Sequence, residues 1–398
     1  MRILIAHNRY QQHGGEDNVV VAECKLLLAH GHEVTRFDVD NDHIQGRVSQ
    51  IATAAGSVYS LSAKRRVREA IDAAKPDIVH VHNFFPTLSP SIFYACADAG
   101  VPVVHTLHNY RIVCCAPYLF REGHLCEECI EERSPLPGIL HGCYRSSHIG
   151  SAVAGLGMAF HHEIGTWSTK VAAFIALNEF AASKIGDYRV PREKIIVKPN
   201  FSVDLGLGKG DGGYALFVGR LSPEKGIQTI LDADAAGSLT MDVVLLGDGP
   251  MREQVAQAQA RPGSRLISKG FIQHDQIIEY MRRASVLIMP SIWYESGPLV
   301  VIEALSLGLP VIAAALGNVA QVISTTTAGL LYEPGNSAGL TAALAQFASN
   351  PEEIIEMRRR ARLAYESTHT PQKNYERLIE IYEGVLRGDL FPSATAAV

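Results

Sequence analysis

Short apolar runs alternate with amphipathic stretches along almost the whole chain, the pattern typical of parallel strands joined by helices. In the first half we predict strands at Ile3–Ala6, Glu33–Phe37, Ile78–Val81, Val101–Thr106, Val171–Ala176 and Ile195–Val197. Helices are predicted between them at Val19–Ala29, Lys64–Ala74 and Ser91–Ala99. We therefore expect this half to form one doubly wound α/β unit.

The second half repeats the pattern after a glycine-rich connector at residues 205–213. Its predicted strands are Tyr214–Val218, Met241–Leu246, Leu266–Ser268, Val286–Met289 and Val311–Ala314. A last helix, at about residues 372–386, has one apolar stripe that must pack on another element; it consists of Tyr375, Leu378, Ile379, Tyr382, Val385 and Leu386. We predict domains at 1–202 and 203–371, followed by this helix and a loose tail, 372–398.

Composition agrees with two cores, since the 398 residues are 47% hydrophobic. The net charge of −5 provides no general field to attract nucleic acid. The start, Met1-Arg-Ile-Leu-Ile-Ala, runs into a strand without a signal-peptide pattern, so we expect a cytoplasmic protein. Polar residues interrupt the apolar stretch 151–177, and we expect any membrane contact to be peripheral, at the inner face.

Two carboxylates eight residues apart, Glu295 and Glu303, flank a predicted helix start in Glu295-Ser-Gly-Pro-Leu-Val-Val-Ile-Glu303. The preceding run Ser285–Pro290 is typical of a buried strand, and Pro298 fits the first position of a helix over residues 299–307. Free N–H groups at such a start can bind an anion where a strand ends; they belong to Gly297, Leu299 and Val300. We predict a diphosphate there.

The upstream segment Phe217-Val-Gly-Arg-Leu-Ser-Pro-Glu-Lys-Gly226 has the same layout, with the cations Arg220 and Lys225 in its turn. Together the two segments resemble the donor site of the retaining glycosyltransferases of family 4. The resemblance implies the GT-B fold, in which two Rossmann-like domains face each other across a cleft and the C-terminal helix crosses back to the first domain.

The resemblance also implies roles for individual residues. Glu295 would contact the donor hexose, Glu303 the ribose hydroxyls, and His108, in Thr106-Leu-His-Asn-Tyr-Arg111, would lie beside the sugar. Arg220 and Lys225 would stabilise the departing diphosphate. The remaining predicted donor-binding residues are Gly14 and Gly15, in the turn His13–Asp17 after the first strand, Gly219, Ile272, which would hold the base, Ser296, Gly297, Pro298, Leu299 and Val300.

These roles predict transfer of a hexosyl group from a nucleotide diphosphate sugar, with UDP-glucose favoured, to an acceptor hydroxyl with retention of configuration. The acceptor would be a glycan or a lipid-linked glycan in polysaccharide or glycolipid synthesis. No catalytic metal is expected, because the Asp-x-Asp sequences at 38–40 and 232–234 are poorly placed for one. Three alternatives stay open: a nucleotide-sugar 2-epimerase, a glycoside phosphorylase, and a non-catalytic assembly partner.

Five of the seven cysteines lie within residues 114–143. A structural zinc site formed by Cys114, or alternatively Cys115, with Cys126, Cys129 and Cys143 is one interpretation, and a compact loop of reduced or disulfide-linked cysteines is the other. His80 and His82, in Val79-His-Val-His-Asn83, are predicted to face opposite sides of their strand, so that at most one reaches a ligand.

Overall fold

A computed structural model describes residues 1–9, 14–41 and 53–389. The chain divides into two compact units. The first comprises Met1–Leu119, Cys126–Pro199 and the segment from Asn374 onward; the second comprises Phe120–Leu125 and Asn200–Lys373. His13 of the predicted glycine turn and residues 390–398 of the predicted tail lie outside the described residues.

The first unit contains a six-stranded parallel sheet. The strands up to residue 199 are β1 (Arg2–Asn8), β2 (Glu33–Val39), β3 (Ile78–Asn83), β4 (Val103–Leu107), β5 (Phe120–Arg121), β6 (His124–Leu125), β7 (Ala173–Ala176) and β8 (Ile195–Val197). The sheet order is β2-β1-β3-β4-β7-β8, and each neighbouring pair is parallel. The two short strands β5 and β6 form a separate antiparallel hairpin.

Helices connect these strands, as parallel pairing requires. They are α1 (Gly15–Ala29), α2 (Leu61–Ala74), α3 (Ser91–Ala99), α4 (Glu128–Glu131), α5 (Leu136–Leu140), α6 (His148–Glu163), α7 (Thr166–Thr169) and α8 (Glu179–Gly186). Residues 53–58 are also helical. The cysteine-rich insert is thus a set of short helices and a hairpin placed between β4 and β7.

The second unit repeats this design with six parallel strands. They are β9 (Tyr214–Val218), β10 (Asp242–Leu246), β11 (Leu266–Gly270), β12 (Val286–Met289), β13 (Val311–Ala314) and β14 (Gly329–Tyr332), in the order β11-β10-β9-β12-β13-β14. The helices are α9 (Ile227–Ala235), α10 (Arg252–Gln259), α11 (His274–Arg283), α12 (Leu299–Ser306), α13 (Gly317–Thr326), α14 (Ser337–Ser349) and α15 (Pro351–Ala364), and the chain continues into α16 (Pro371–Arg387).

Both faces of this second sheet are covered by apolar side chains. Alternate residues of β9 enter different cores, Phe217 with Val243 and Ile288 on one face and Leu216 with Val244 and Leu287 on the other. A strand buried on both faces appears in sequence as a continuous apolar run. This explains why such runs located the strands of this unit.

The last helix, α16, packs on the first unit, as the crossover prediction required. Leu378, Ile381 and Tyr382 are completely buried in one core with Ile3 of β1 and Val20 of α1. No helix in the described ranges is both long and apolar enough to cross a bilayer.

Candidate functional site

The topology of the second sheet indicates where a ligand binds. β9 lies between β10 and β12, so the chain leaves β9 in one direction and later returns to its other side. Open α/β sheets bind ligands at such a switch point, beyond the carboxyl ends of the strands. The loops that follow β9 and β12, residues 219–226 and 290–298, begin there and carry most of the predicted donor-site residues.

Glycine allows the backbones of these two loops to touch. Gly226, which precedes α9, has φ +71°, and a Cβ at this position would lie 1.8 Å from the carbonyl oxygen of Pro290. Any side chain would therefore force the loops apart, and the backbone conformation also disfavours one. The Ile292 N–H donates to the Glu224 carbonyl at 3.0 Å and joins the loops further.

The contact between the loops brings Lys225 to Glu295. The Lys225 ammonium lies 2.7 Å from Glu295 Oε1, and the same oxygen accepts hydrogen bonds from Ser291 Oγ at 2.7 Å and Trp293 Nε1 at 2.9 Å. Glu295 is only 8% exposed. Burial by itself would raise the pKa of this carboxyl, but Lys225 and the two other donors lower it overall, so Glu295 is ionised.

The two cations of the first loop differ in their surroundings. The Lys225 ammonium also lies 5.1 Å from the centre of the Trp293 ring, which is within the range of a cation–π contact. Arg220 follows Gly219 at the end of β9, and its side chain is exposed. Lys225 is thus held in a fixed position, whereas Arg220 can reach out to an anion.

Glu303 has a separate partner rather than a place beside Glu295. It lies in the second turn of α12 and is nearly buried, and its Oε1 is 2.7 Å from Nε2 of His274, at the start of α11. Pro298 caps α12 in an extended conformation, ψ 118°, instead of occupying the predicted first helical position. The first two helical N–H groups belong to Leu299 and Val300, and such groups have no partner within the helix.

Of the remaining predicted residues, Gly297 is held by a hydrogen bond within the second unit. Its carbonyl oxygen accepts from Asn200 Nδ2 at 3.0 Å. Ser296 precedes it in the same loop. The side chain of Ile272 packs against the apolar core, so any contact with a base would come from its backbone. Its neighbour Phe271 is 72% exposed and offers a ring for stacking.

Ser291, Trp293 and His274 are site residues that the sequence interpretation missed. Ser291 and Trp293 are polar side chains in the loop directly after the buried strand β12, only four and two residues before Glu295. Their position in a loop directly after a buried strand could have identified them as site residues from the sequence. His274 lies 29 residues before its partner Glu303, and nothing in the sequence connects the two.

We predict that the ion pair between Glu303 and His274 will be visible in the titration of His274. The hydrogen bond that His274 donates to Glu303 raises the pKa of His274, so the contribution of this pair to stability is present below the unfolded pKa and is lost as the pH rises through the folded pKa. His274 is 60% exposed, so solvent will keep that contribution small. In NMR titrations Glu303→Gln should lower the pKa of His274 more than Asp275→Asn does; an equal decrease in both variants would contradict the assignment.

In the first unit, the glycine turn before α1 is partly committed to internal contacts. The Gly14 N–H donates to Asp17 Oδ2 at 2.8 Å, and Asp17 Oδ1 lies 2.9 Å from His7 Nε2. Gly15 is the first residue of α1, and no atom lies within 4 Å of where its Cβ would be. Of the two glycines, Gly15 is therefore the better placed to approach a ligand.

His108 follows β4 and is half-buried. Its Nε2 lies 3.0 Å from Nδ1 of His82, and the two rings are stacked with their centres 5.2 Å apart. The prediction that His80 and His82 face opposite sides was wrong, because residues two apart in a strand point to the same face. Their ring centres are 4.1 Å apart, and both rings lie near the carboxylate of Glu23.

The predicted zinc site is not supported by the positions of the cysteines. Among the described residues, the group of potential metal ligands with donor atoms within 4.8 Å of one another is Glu23, His80 and His82, not a set of thiols. Cys115, the alternative first ligand, interacts with Cys129; this contact lowers the pKa of Cys129 and, with burial, raises that of Cys115. The Cys115 thiol also lies 3.9 Å from the Pro135 carbonyl oxygen.

Several thiols of the insert are buried in closely packed surroundings. Burial raises the pKa of Cys114 to about 11, although backbone N–H groups donate to its sulfur. All seven cysteines are free thiols. A Cβ at Gly138 would lie 2.8 Å from Cys115 Sγ, which shows how closely α5 packs over the thiol pair.

Two family models match consecutive parts of the chain. Residues 13–203 match the model described as Glycosyltransferase Family 4, and residues 206–368 match the model described as Glycosyl transferases group 1. These matches support a family 4 glycosyltransferase of the GT-B type. The second match includes both loops of the candidate site, and the first includes His108.

Curated relatives agree with this class. The chain is 34% identical over 157 residues to a 2-deoxystreptamine glucosyltransferase from Streptomyces kanamyceticus, which is 38% of this chain and 40% of that protein. It is 24% identical over 272 residues to the putative teichuronic acid biosynthesis glycosyltransferase TuaC from Bacillus subtilis, which is 68% of this chain and 61% of that protein. The matches thus span about half the length of these relatives.

Solved structures show the same fold over nearly the full length. HepE from Anabaena, in complex with UDP, superposes with a TM-score of 0.68 at 16% identity, covering 96% of this chain and 100% of that one. Sucrose-phosphate synthase from Thermosynechococcus elongatus gives 0.71 at 16% identity, covering 97% and 100%. At this identity the similarity establishes the fold, which is GT-B.

Proposed function

We propose that the protein transfers a hexosyl group from a nucleoside diphosphate sugar to an acceptor hydroxyl with retention at the anomeric carbon. The observation that carries the proposal is the Lys225–Glu295 pair at the switch point of the second sheet. It places a fixed cation and a fixed carboxylate where such sheets bind nucleotides. A diphosphate would contact Lys225, and the hydroxyls of a sugar would contact Glu295.

The chemistry follows from the charges that develop during transfer. Breaking the bond between the sugar and the phosphate builds negative charge on the diphosphate and positive charge on the sugar ring. Lys225, Arg220 and the helix-start N–H groups of Leu299 and Val300 would stabilise the diphosphate from positions that require little reorganisation. The ionised Glu295 would bind the hexose hydroxyls close to the ring that becomes positive.

Glu303 and Ile272 would bind the nucleoside in this proposal. The Glu303 carboxylate would accept hydrogen bonds from the ribose hydroxyls, and His274, which bonds its Oε1, would orient it. The backbone around Ile272 would hold the base, with the exposed Phe271 ring beside it. Gly219, Ser296 and Gly297 would line the loops between these groups.

We further propose that cationic side chains, rather than a metal held by either Asp-x-Asp sequence, neutralise the leaving group. Asp234 is already bonded to Arg261, Ser264 and the Arg265 N–H. Asp232 accepts from Gln228, and Asp38 is paired with Arg36. These carboxylates are committed to internal contacts, in contrast to the exposed Arg220.

A uridine donor is the first choice. HepE, which shares the fold, was crystallised with UDP, with UDP and glucose, and with UDP-glucose. For the acceptor we propose a glycan or a lipid-linked glycan, in keeping with the teichuronic acid assignment of TuaC. Action in the cytoplasm and a peripheral contact with the membrane remain predictions from the sequence.

A thermal-shift panel of UDP-, GDP- and ADP-sugars tests the proposal. A ligand that binds only the folded protein stabilises it by about 2.7 kcal/mol at 100 times its Kd. We expect UDP-hexoses to raise the melting temperature more than the other nucleotide sugars do. The anomer of a product formed with the best donor, determined by NMR, then tests retention. No shift with any nucleotide sugar would refute the proposed function.

A further inference from the structure

A row of four polar side chains, which we call the buried relay, crosses the first unit from Lys198 to His108. The Lys198 ammonium lies 2.5 Å from Glu23 Oε1, Glu23 Oε2 lies 3.4 Å from His82 Nε2, and His82 Nδ1 lies 3.0 Å from His108 Nε2. Lys198, Glu23 and His82 are at most 2% exposed. Polar groups this deeply buried require partners: Lys198 is bonded to Glu23 Oε1 and His82 Nδ1 to His108 Nε2, while Glu23 Oε2 and His82 Nε2 meet as a charge beside a polar ring atom.

The two central atoms of the row are Glu23 Oε2 and His82 Nε2, and Oε2 also lies 3.9 Å from Nδ1 of His80. The two central atoms are 3.4 Å apart, and neither forms a hydrogen bond in the part of the chain that the structure describes. Glu23 forms an ion pair with Lys198, and a carboxylate can only accept hydrogen bonds. A lone pair on His82 Nε2 would be repelled by this carboxylate oxygen at 3.4 Å, whereas an N–H there is attracted to it, so the charge of Glu23 favours hydrogen on Nε2.

The position of that hydrogen decides the tautomer of the next ring. Burial, followed by the neighbouring histidines, lowers the pKa of His82 well below its usual range, so the ring is neutral and carries one hydrogen. With that hydrogen on Nε2, His82 Nδ1 must accept, and His108 Nε2 must donate to it. Burial likewise lowers the pKa of His108, whose single hydrogen is thereby used, leaving Nδ1 with a lone pair.

A metal ion is the other occupant that this region suggests, because Glu23, His80 and His82 have donor atoms within 4.8 Å of one another. Two observations disfavour it. The Lys198 ammonium already neutralises Glu23, so a divalent cation would place further positive charge beside it in a buried site. Both ring nitrogens of His80 are also bonded, to Tyr382 Oη at 2.6 Å and Thr106 Oγ1 at 2.7 Å.

We propose that Glu23 and His82 are positioning residues that hold His108 in the tautomer with hydrogen on Nε2, so that Nδ1 is presented to the substrate as a hydrogen-bond acceptor. The group that it accepts from would be a hydroxyl of a sugar substrate, a step that rests on the proposed function. A ring held in this way can accept from a hydroxyl but cannot donate to one. The relay thus selects which hydrogen-bond pattern of a sugar the site tolerates.

Two substitutions at His82 form a matched pair. The Oδ1 atom of His82→Asn falls where Nδ1 of the histidine was and can still accept from His108, whereas His82→Leu removes the acceptor. We expect kcat to stay within about threefold in the Asn variant and to fall on the order of 10- to 100-fold in the Leu variant, the range that misplacing a group costs. The Kd for UDP should be unchanged in both variants, because neither His82 nor His108 is a predicted contact of the diphosphate.

Glu23→Gln should switch both His82 and His108 to their other tautomers. Its amide can accept from Lys198 and donate to His82 Nε2, which moves the hydrogen of His82 to Nδ1 and that of His108 to its own Nδ1. NMR of protein labelled with ¹⁵N in histidine reports both tautomers directly, and His108→Gln identifies the His108 signals.

We expect hydrogen on Nε2 of His108 in the wild type and in His82→Asn, and hydrogen on Nδ1 in Glu23→Gln. Hydrogen on Nδ1 in the wild type, or an identical His108 spectrum in folded His82→Leu, would overturn the inference. If Glu23→Gln does not fold, the comparison of His82→Asn with His82→Leu tests the inference instead. The tautomer is measured without turnover. A protein that binds no nucleotide sugar would therefore refute the proposed function, but the tautomer of His108 could still be determined.

Discussion

Replacing Lys225 by alanine is expected to weaken the binding of UDP by about 10- to 100-fold, the equivalent of one lost charge-assisted hydrogen bond. The ammonium is held at 2.7 Å from Glu295 and over the Trp293 ring, so a diphosphate would meet a cation that is already in position. Arg220→Ala should have an effect in the same direction. Calorimetric titration with UDP measures both, and Lys209→Ala, an exposed lysine of the same unit, is the control.

Glu295→Gln should affect a different step. Its carboxylate would bind the hexose rather than the diphosphate, so we expect the Kd for UDP to change little while kcat falls by about 100- to 1,000-fold, as losing one electrostatic contact in the transition state does elsewhere. Gln retains the shape and can still accept from Ser291 and Trp293. Unchanged UDP affinity in both cation variants, or full turnover in Glu295→Gln, would contradict the assigned roles.

The buried pair Lys198–Glu23 should produce the largest change in stability. Lys198→Met leaves the Glu23 carboxylate buried without its cation, and breaking such a pair from one side costs about 3–5 kcal/mol. We expect the free energy of unfolding of the first unit to fall by about this amount. The double variant Lys198→Met/Glu23→Leu removes both charges and should recover much of the loss.

Fluorescence can isolate the first unit in this experiment. The chain has two tryptophans, Trp167 in the first unit and Trp293 in the second. Trp167 is 3% exposed and packs on Phe84 and Phe93, so in a Trp293→Phe background its emission reports denaturation of the first unit alone. Lys75→Met, which breaks an exposed ion pair with Asp72, should cost less than about 1 kcal/mol. Equal losses in the Lys75 and Lys198 variants would contradict the prediction.

Most strands were predictable because the sheets are buried on both faces. Tyr214–Val218, Val286–Met289 and Val311–Ala314 have the bounds that their apolar runs predicted. The strand Gly329–Tyr332 was missed; it lies at the edge of its sheet, begins with glycine and is mostly half-buried, so its local signal is weak. Pairing with the neighbouring strand Val311–Ala314, rather than the strand's own composition, maintains it.

The candidate donor site was predictable in part. The loops after β9 and β12 were located correctly because a glycine turn between a strand and a helix has a local signature. The prediction about His80 and His82 failed because residues two apart in a strand share a face and do not point to opposite sides. The zinc interpretation relied on spacing alone. Spacing left Cys114 and Cys115 as alternatives and could not show that Cys115 is the one that contacts Cys129.

The sequence by itself determined the order of the elements, the doubly wound character of both halves and the two loops that carry the charged residues. These properties depend on periodicity and turn chemistry, which act over a few residues. The tertiary structure decided which charges meet. Lys225 reaches Glu295 across 70 residues, and Lys198 reaches Glu23 across 175. The first pair forms because parallel strands place distant loops at one edge of a sheet, and the second because α1, which carries Glu23, packs on the sheet whose last strand precedes Lys198. No local pattern encodes either proximity.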